Sequence, residues 1–461
     1  MRVLCEWGHC PWRNLYTLTR GRPMLRIGAP PRPLPKGEEC SQCVSWFHTL
    51  APFAMLLCGT VMYGTYIRGK PGETTMKRWQ SAALLGGLMW GMLLAMNSPA
   101  LAVDTTDLVR VDESKGMATA GKPTLWYDIR ELHVEGRGFA DTKSFYDRLP
   151  AKAEGVVRGS VWRLGLDSAG MAVRFVTDAT EIQARWKLRE QNLAMPHMAA
   201  TAVSGLDLYG KDDAGKWQWL GVGRPTAVEN TQSMATGLTA GTREYLLYLP
   251  LYNGVESVEI GLAPDAKLFQ ATPRTTKPIV FYGTSITQGA CASRPGMCYS
   301  AILGRWLDRE AINLGFSGNA KMEPEVAKLL AELDPAVYFL NALPNMNAVD
   351  LTERAEPFVR IIRAARPQTP IVLVEDRTYG NAPLVDKQLQ RNLTSRKVFR
   401  EVYEKLQSEG MTGLSYIAGE GQVGSDSEGT VDGSHPNDLG FFRMAETFRG
   451  PLAAALKQAG P

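Results

Sequence analysis

Three side chains, far apart in the chain, have the types that ester chemistry needs. Ser285 lies in Lys277-Pro-Ile-Val-Phe-Tyr-Gly-Thr-Ser-Ile-Thr-Gln-Gly289, where an apolar run from Ile279 to Tyr282 breaks at Gly283. The run reads as a buried strand, and the polar turn after it as the start of a helix. A hydroxyl in that place stands at the carboxyl end of a sheet strand, where open α/β sheets collect their ligands. It also stands near a helix N-terminus, whose unpaired N–H groups favour developing negative charge. His435 is the one histidine after residue 200, and Asp432 precedes it by three residues in Thr430-Val-Asp-Gly-Ser-His-Pro-Asn-Asp-Leu-Gly440. That spacing lets a carboxylate hold one ring nitrogen while the other faces a nucleophile. A serine hydroxyl is a poor nucleophile near neutral pH and requires such a base within hydrogen-bond reach.

Two further polar blocks lie between these. Gly315-Phe-Ser-Gly-Asn319 follows the apolar run at 311–314, and Leu343-Pro-Asn-Met346 follows the run at 337–340. Four polar features therefore fall on four successive strand or loop ends. In this order the blocks resemble the SGNH (GDSL-type) esterase and lipase superfamily, over about residues 275–458. Gly205-Leu-Asp-Leu-Tyr209 resembles the motif of the β-rich GxDLY domain that precedes the hydrolase domain in a bacterial subgroup. The resemblance implies Ser285 as nucleophile, His435 as base and Asp432 as its partner. It also implies an oxyanion hole made by the N–H groups of Ser285 and Gly318 and the side-chain amide of Asn345. A glycine at 318 permits close backbone approach to a substrate. Two departures stand out: Gly-Thr-Ser replaces Gly-Asp-Ser at Thr284, and Leu-Pro-Asn-Met replaces Gly-x-Asn-Asp at 343–346. Arg294 and Glu375 are candidate substrate contacts. The stretch Glu375-Asp-Arg377 is alternatively a buttress of the histidine loop.

The elements that must position these groups alternate. Strands are expected at 279–282, 311–314, 336–340, 370–374 and 414–417, with helices near 297–308, 323–333, 351–366, 386–409 and 438–457. Such alternation implies an α/β domain, over 273–461, with a parallel sheet covered on both faces. The family resemblance implies a flavodoxin-like three-layer α/β/α sandwich. Residues 103–272 instead show short β-patterned runs: 161–164, 171–176, 181–188, 217–220, 244–249 and 255–262. These predict a β-sandwich, jelly-roll-like domain, with a helix near 141–149 and a hairpin turn at Asp212-Asp-Ala-Gly215. His197, in Met195-Pro-His-Met198, falls on a loop that can face the site.

Charge and cysteine usage bound the setting. The net charge is +4, yet residues 1–102 hold eleven Lys/Arg against four Asp/Glu, leaving 40 against 43 for 103–461. The mildly acidic remainder gives no basis for nucleic-acid binding. Residues 76–102 have a basic start, a short apolar body and an Ala-Leu-Ala end, the pattern of a secretory signal peptide, so no stable membrane span is expected after cleavage. Residues 1–75 are then an unstructured or wrongly assigned leader, with translation expected from Met76. Cys40 and Cys43 form a Cys-x-x-Cys without the second pair of a zinc site, and neither a metal nor another cofactor is expected. Cys291 and Cys298 either close a local disulfide, worth roughly 2–3 kcal/mol in an oxidising compartment, or remain small buried thiols. Asn392-Leu-Thr394 is a glycosylation sequon. Together these readings predict a periplasmic or secreted serine esterase acting on small acyl, chiefly acetyl, esters of carbohydrate. The alternatives are an acyltransferase using the same three residues, or a lectin-like protein with a silent hydrolase domain.

Overall fold

The computed structural model describes residues 103–460, apart from 120 and 122, so the leader and signal segment lie outside the described residues. Strands Ile279–Gly283, Ala311–Gly315, Val337–Asn341, Ile371–Val374 and Leu414–Ile417 form a wholly parallel sheet. Their spatial order is second, first, third, fourth, fifth, which is the flavodoxin-like arrangement. Side chains alternate between the two faces of a strand, and each set has its own helical layer. Ile279, Phe281, Val337, Phe339, Val372 and Val374 pack against helices Tyr299–Leu307 and Asp438–Ala459. Val280, Tyr282, Tyr338, Leu340, Ile371 and Leu373 pack against Pro324–Glu332, Ala348–Ala365 and Asp386–Ser408. Burial on both faces is why these strands read as unbroken apolar runs.

The N-terminal half is a sandwich of two antiparallel sheets. One runs Met117–Ala118, Leu125–Asp128, Val255–Leu262, Glu181–Leu188, Glu229–Thr236. The other runs Leu268–Gln270, Ala172–Thr177, Arg243–Tyr248, Asp207–Lys211, Trp217–Val222, with His133–Glu135 also on Ala172–Thr177. Tyr127, Ile182, Trp186, Val258 and Ile260 meet Val173, Phe175, Leu208 and Leu247 between the sheets. The second sheet has another apolar face. Ala172, Tyr209, Leu246 and Tyr248 share a core with Tyr299, Ala301 and Ile302 of the α/β half. Ala172–Thr177 is accordingly buried at every position, and the described residues fall within one compact unit.

Two expectations for this half need correction, and one strand was not expected. Val161-Trp-Arg-Leu164 is not a strand but the end of helix Gly159–Leu164, whose Val161 and Leu164, three apart, both bury. A four-residue stretch with one charged member cannot separate the two periods. No helix occupies 141–149, whose backbone is tied up in turns and in a bond from Arg148 N to Gly165 O at 2.7 Å. Strand Glu229–Thr236 escaped prediction because it is polar and buries only Asn230 and Met234.

Candidate active site

The nucleophile turn is dictated by its neighbours. Strand Ile279–Gly283 ends where a Cβ on Gly283 would lie 2.0 Å from Thr287 Oγ1 and 2.5 Å from Asn341 O, so only glycine fits. A short helix, Ser285–Gln288, follows at once, with Thr284 as its N-cap accepting from Ile286 N at 3.3 Å. Threonine supplies the capping oxygen that an aspartate would supply in the Gly-Asp-Ser form, which accounts for the first departure. Ser285 is the first residue of that helix and is buried, and Tyr252 Oη donates to its carbonyl at 3.2 Å.

The histidine loop reaches the same place from the other end of the domain. Ser285 Oγ lies 2.9 Å from His435 Nε2, and His435 Nδ1 lies 2.8 Å from Asp432 Oδ2. The other carboxylate oxygen, Oδ1, accepts from His435 N at 2.8 Å and Ser434 N at 2.9 Å. Partial burial pushes the Asp432 carboxyl upward, but these hydrogen bonds from His435 and Ser434 outweigh it and hold the group at about 2. Asp432 is therefore an anion throughout the neutral range. Arg377, itself buried against Asp376, donates to Ser434 O at 2.7 Å and to Ser434 Oγ. The Glu375-Asp-Arg377 stretch thus supports the histidine loop through its arginine.

The two middle blocks lie beside the serine. Gly315 packs so closely on the nucleophile helix that a Cβ would come within 2.2 Å of Gln288 N. Gln288, buried, accepts from Ser317 N at 3.0 Å and donates to Asp167 Oδ2 at 2.7 Å. Beneath this turn, Arg148 donates to Asn313 O at 3.0 Å, Gly315 O at 2.8 Å and Leu164 O at 2.6 Å. Burial lowers the Arg148 guanidinium to about 10 and raises Asp167 to about 6. Sequence reading found neither Gln288, Arg148 nor Asp167; each is an ordinary polar residue until the fold buries it. Gly318 has φ +68°, and its N–H and that of Ser285 meet no acceptor among the described residues. Asn345 accepts from Ala320 N through Oδ1 at 3.3 Å, which leaves its amide nitrogen as the unengaged end. The nearby Asn347 caps helix Ala348–Ala365, and Asn319 binds Arg158 and Ser160.

Several expected site residues have other duties. Arg294 is engaged within the fold: it donates to Asp207 Oδ2 at 2.8 Å, and Gly296 N and Trp219 Nε1 reach the same carboxylate at 2.8 and 2.9 Å. Asp207 and Tyr209 of the Gly-Leu-Asp-Leu-Tyr motif thereby grip the loop that follows the nucleophile. Glu375 is fully buried and accepts from Arg400, Tyr416 Oη and Gly419 N, so it cannot touch a substrate. Cys291 and Cys298 are not bonded to each other. Cys298 Sγ turns to Pro295 O and Ser300 Oγ. Cys291 lies beside the histidine loop, its thiol pushed up to about 12 by burial and by the Asp432 charge. Asn392 of the sequon is buried and bound to Asp376 and Arg377, out of reach of modification. His197 does lie at the site: its ring centroid is 5.6 Å from that of His435. One ligand atom from each of His197, Cys291 and His435 lies within 4.8 Å of the others, a cluster that no spacing in the sequence announced. Among the described residues, no helix is long and apolar enough to cross a membrane.

Comparison with known proteins agrees with this architecture. Residues 276–453 match the GDSL-like Lipase/Acylhydrolase family, and residues 124–268 match the N-terminus of Esterase_SGNH_hydro-type proteins. A solved structure from Bacteroides ovatus ATCC 8483, described as a GDSL-like lipase, is 36% identical, covering 72% of this chain and 98% of its own, with a TM-score of 0.69. The salicylyl-acyltransferase SsfX3 of a tetracycline biosynthetic pathway is 20% identical over 74% of this chain and 96% of its own, with a TM-score of 0.55. A family two carbohydrate esterase from Clostridium thermocellum, solved with cellohexaose, is 16% identical over 63% of this chain and 94% of its own, at a TM-score of 0.47. No curated protein matches the chain significantly. With the Ser, Gly and Asn blocks after three adjacent strands of one parallel sheet, the His block after its last strand, and a relative of this identity along nearly its whole length, the chain belongs to the GDSL-like lipase/acylhydrolase family of SGNH hydrolases.

Proposed function

We propose that the protein is a serine esterase that removes small acyl groups, chiefly acetyl, from carbohydrate, in the periplasm or outside the cell. The observation that carries the reading is the unbroken relay Ser285 Oγ, His435 Nε2, His435 Nδ1, Asp432 Oδ2, with links of 2.9 and 2.8 Å. In this reading His435 Nε2 takes the hydroxyl proton as Ser285 Oγ attacks the ester carbonyl, and Asp432 stabilises the imidazolium. The oxyanion is held by the N–H groups of Ser285 and Gly318 and by the Asn345 amide nitrogen. His435 then returns its proton to the leaving alkoxide, releasing the alcohol. Water, deprotonated by His435, cleaves the acyl-enzyme to the acid and restores Ser285. The carbohydrate part is supported by the sandwich domain beside the site and by the secretory pattern at 76–102.

The test is hydrolysis of p-nitrophenyl acetate, and acetate release from acetylated polysaccharides, by wild type and Ser285→Ala. The substitution is expected to lower kcat by more than about 10⁴. Activity that survives it rejects the nucleophile; a preference for long-chain esters over acetylated glycans rejects the substrate class.

A further inference from the structure

We propose that His197, Cys291 and His435 form a binding site for a soft divalent cation of the Zn²⁺ class, and that its occupation switches the esterase off. Three observations converge on it. The three residues offer ligand atoms within 4.8 Å of one another. Tetrahedral zinc with nitrogen and sulfur ligands sets ligand atoms about 3.5 Å apart, so a closure of roughly 1 Å completes the site. The exposed partner can supply that movement. His197 stands at the tip of a tight turn whose base is pinned by reciprocal bonds between Met195 and Met198, at 3.0 and 3.1 Å, and Met198 is anchored in the core. His435 already donates Nδ1 to a carboxylate, the arrangement that orients and strengthens metal-bound histidines.

The donor set selects the metal. One thiolate and two imidazoles suit Zn²⁺ and discriminate against Mg²⁺ and Ca²⁺, which take oxygen ligands. Three protein ligands leave the fourth position to water. On binding, the Cys291 S–H proton passes to the buffer as the metal–sulfur bond forms. His435 Nε2 gives its lone pair to the metal and surrenders its hydrogen bond to Ser285. The inhibition rests on the esterase reading above, because only there is that lone pair the base; the binding does not.

Binding and inhibition are therefore measured separately. Chelator-treated protein is titrated with ZnCl₂ by calorimetry and with CoCl₂ by absorption, beside His197→Ala and Cys291→Ala. The site predicts a single Zn²⁺ per chain, weakened by more than about ten-fold in each variant, and a sulfur-to-cobalt charge-transfer band lost in Cys291→Ala. It also predicts that Zn²⁺ but not Mg²⁺ stops wild-type ester hydrolysis reversibly, whereas the hydrolysis that His197→Ala retains, measured against its own metal-free rate, resists Zn²⁺. His197 is exposed, so that variant folds whether or not the buried cysteine tolerates change. No zinc uptake, or uptake indifferent to His197→Ala, overturns the proposal. Uptake by a protein that hydrolyses no ester without metal overturns the switch and the esterase reading, and leaves the site standing.

Discussion

Asp207→Ala is the substitution that tests whether the Gly-Leu-Asp-Leu-Tyr motif works by gripping the loop after the nucleophile. The carboxylate is fully buried and accepts three bonds: from Arg294, from Gly296 N and from Trp219 Nε1. Removing one partner of a buried ion pair costs about 3–5 kcal/mol. Arg294 keeps 19% of its side-chain surface, so its stranded charge is partly solvated and the value belongs at the lower end. The Gly296 N–H, buried and left without an acceptor, adds to the loss within that range. The expected destabilisation is about 3 kcal/mol for Asp207→Ala and roughly half that for Asp207→Asn, which keeps an acceptor oxygen. Urea unfolding of Asp207→Ala, Arg294→Met and the double variant closes a cycle, and the coupling should reach about 1–3 kcal/mol. Because the same loop carries Cys291 beside the histidine loop, kcat on an acetyl ester should fall about ten- to hundred-fold with Ser285 and His435 intact. If the two substitutions add within about 0.5 kcal/mol and kcat is unchanged, the motif does not act as this clamp.

Further outcomes follow from the same geometry. Asp432→Asn should lower kcat about 10⁴-fold by releasing the His435 tautomer. The Asp432 carboxyl is held at about 2, below its unfolded value near 3.9, so its stabilisation is present above about pH 4 and is lost as pH falls toward 2. Wild type and Asp432→Asn should therefore differ in urea midpoint at pH 6 and converge near pH 2. Asn345→Ala should cost about 10²–10³ in kcat with little change in KM, as removal of one oxyanion donor does. Arg148→Met should strand the carbonyls of Leu164, Asn313 and Gly315 and cost more than about 3 kcal/mol in urea unfolding.

Much of the α/β half was legible because its signals are local. Five apolar runs lie within a residue or two of their strands, since burial on both faces leaves no alternation to misread. The meeting of Ser285, His435 and Asp432 was legible because a serine at a strand end and a lone histidine three residues after an aspartate point to one sheet end. The ion pairs of Arg294 and Glu375 were hidden for one reason: a charged residue at a loop or strand end reads as exposed, yet here each finds a partner more than 20 residues away. The polar edge strand Glu229–Thr236 left no period to read.

The contacts that sequence hid are also those that tie the two halves together around the candidate site. The nucleophile turn contributes Gln288 to Asp167 and to Leu251 O, and receives Tyr252 on the Ser285 carbonyl. The turn holding Gly315 rests on Arg148, and the loop after the nucleophile is held by Asp207 and by Thr201, which donates to Ser293 O at 2.6 Å. Every one of these partners comes from the N-terminal half. Unpaired buried polar groups cost about 1–3 kcal/mol each, so a hydrolase half without its sandwich would lose the turn geometry before it lost its sheet. The sandwich is therefore part of the candidate site's scaffold. The glycine at 205, where a Cβ would come within 2.4 Å of Gly223 O, is required to set Asp207 in place rather than to meet a ligand.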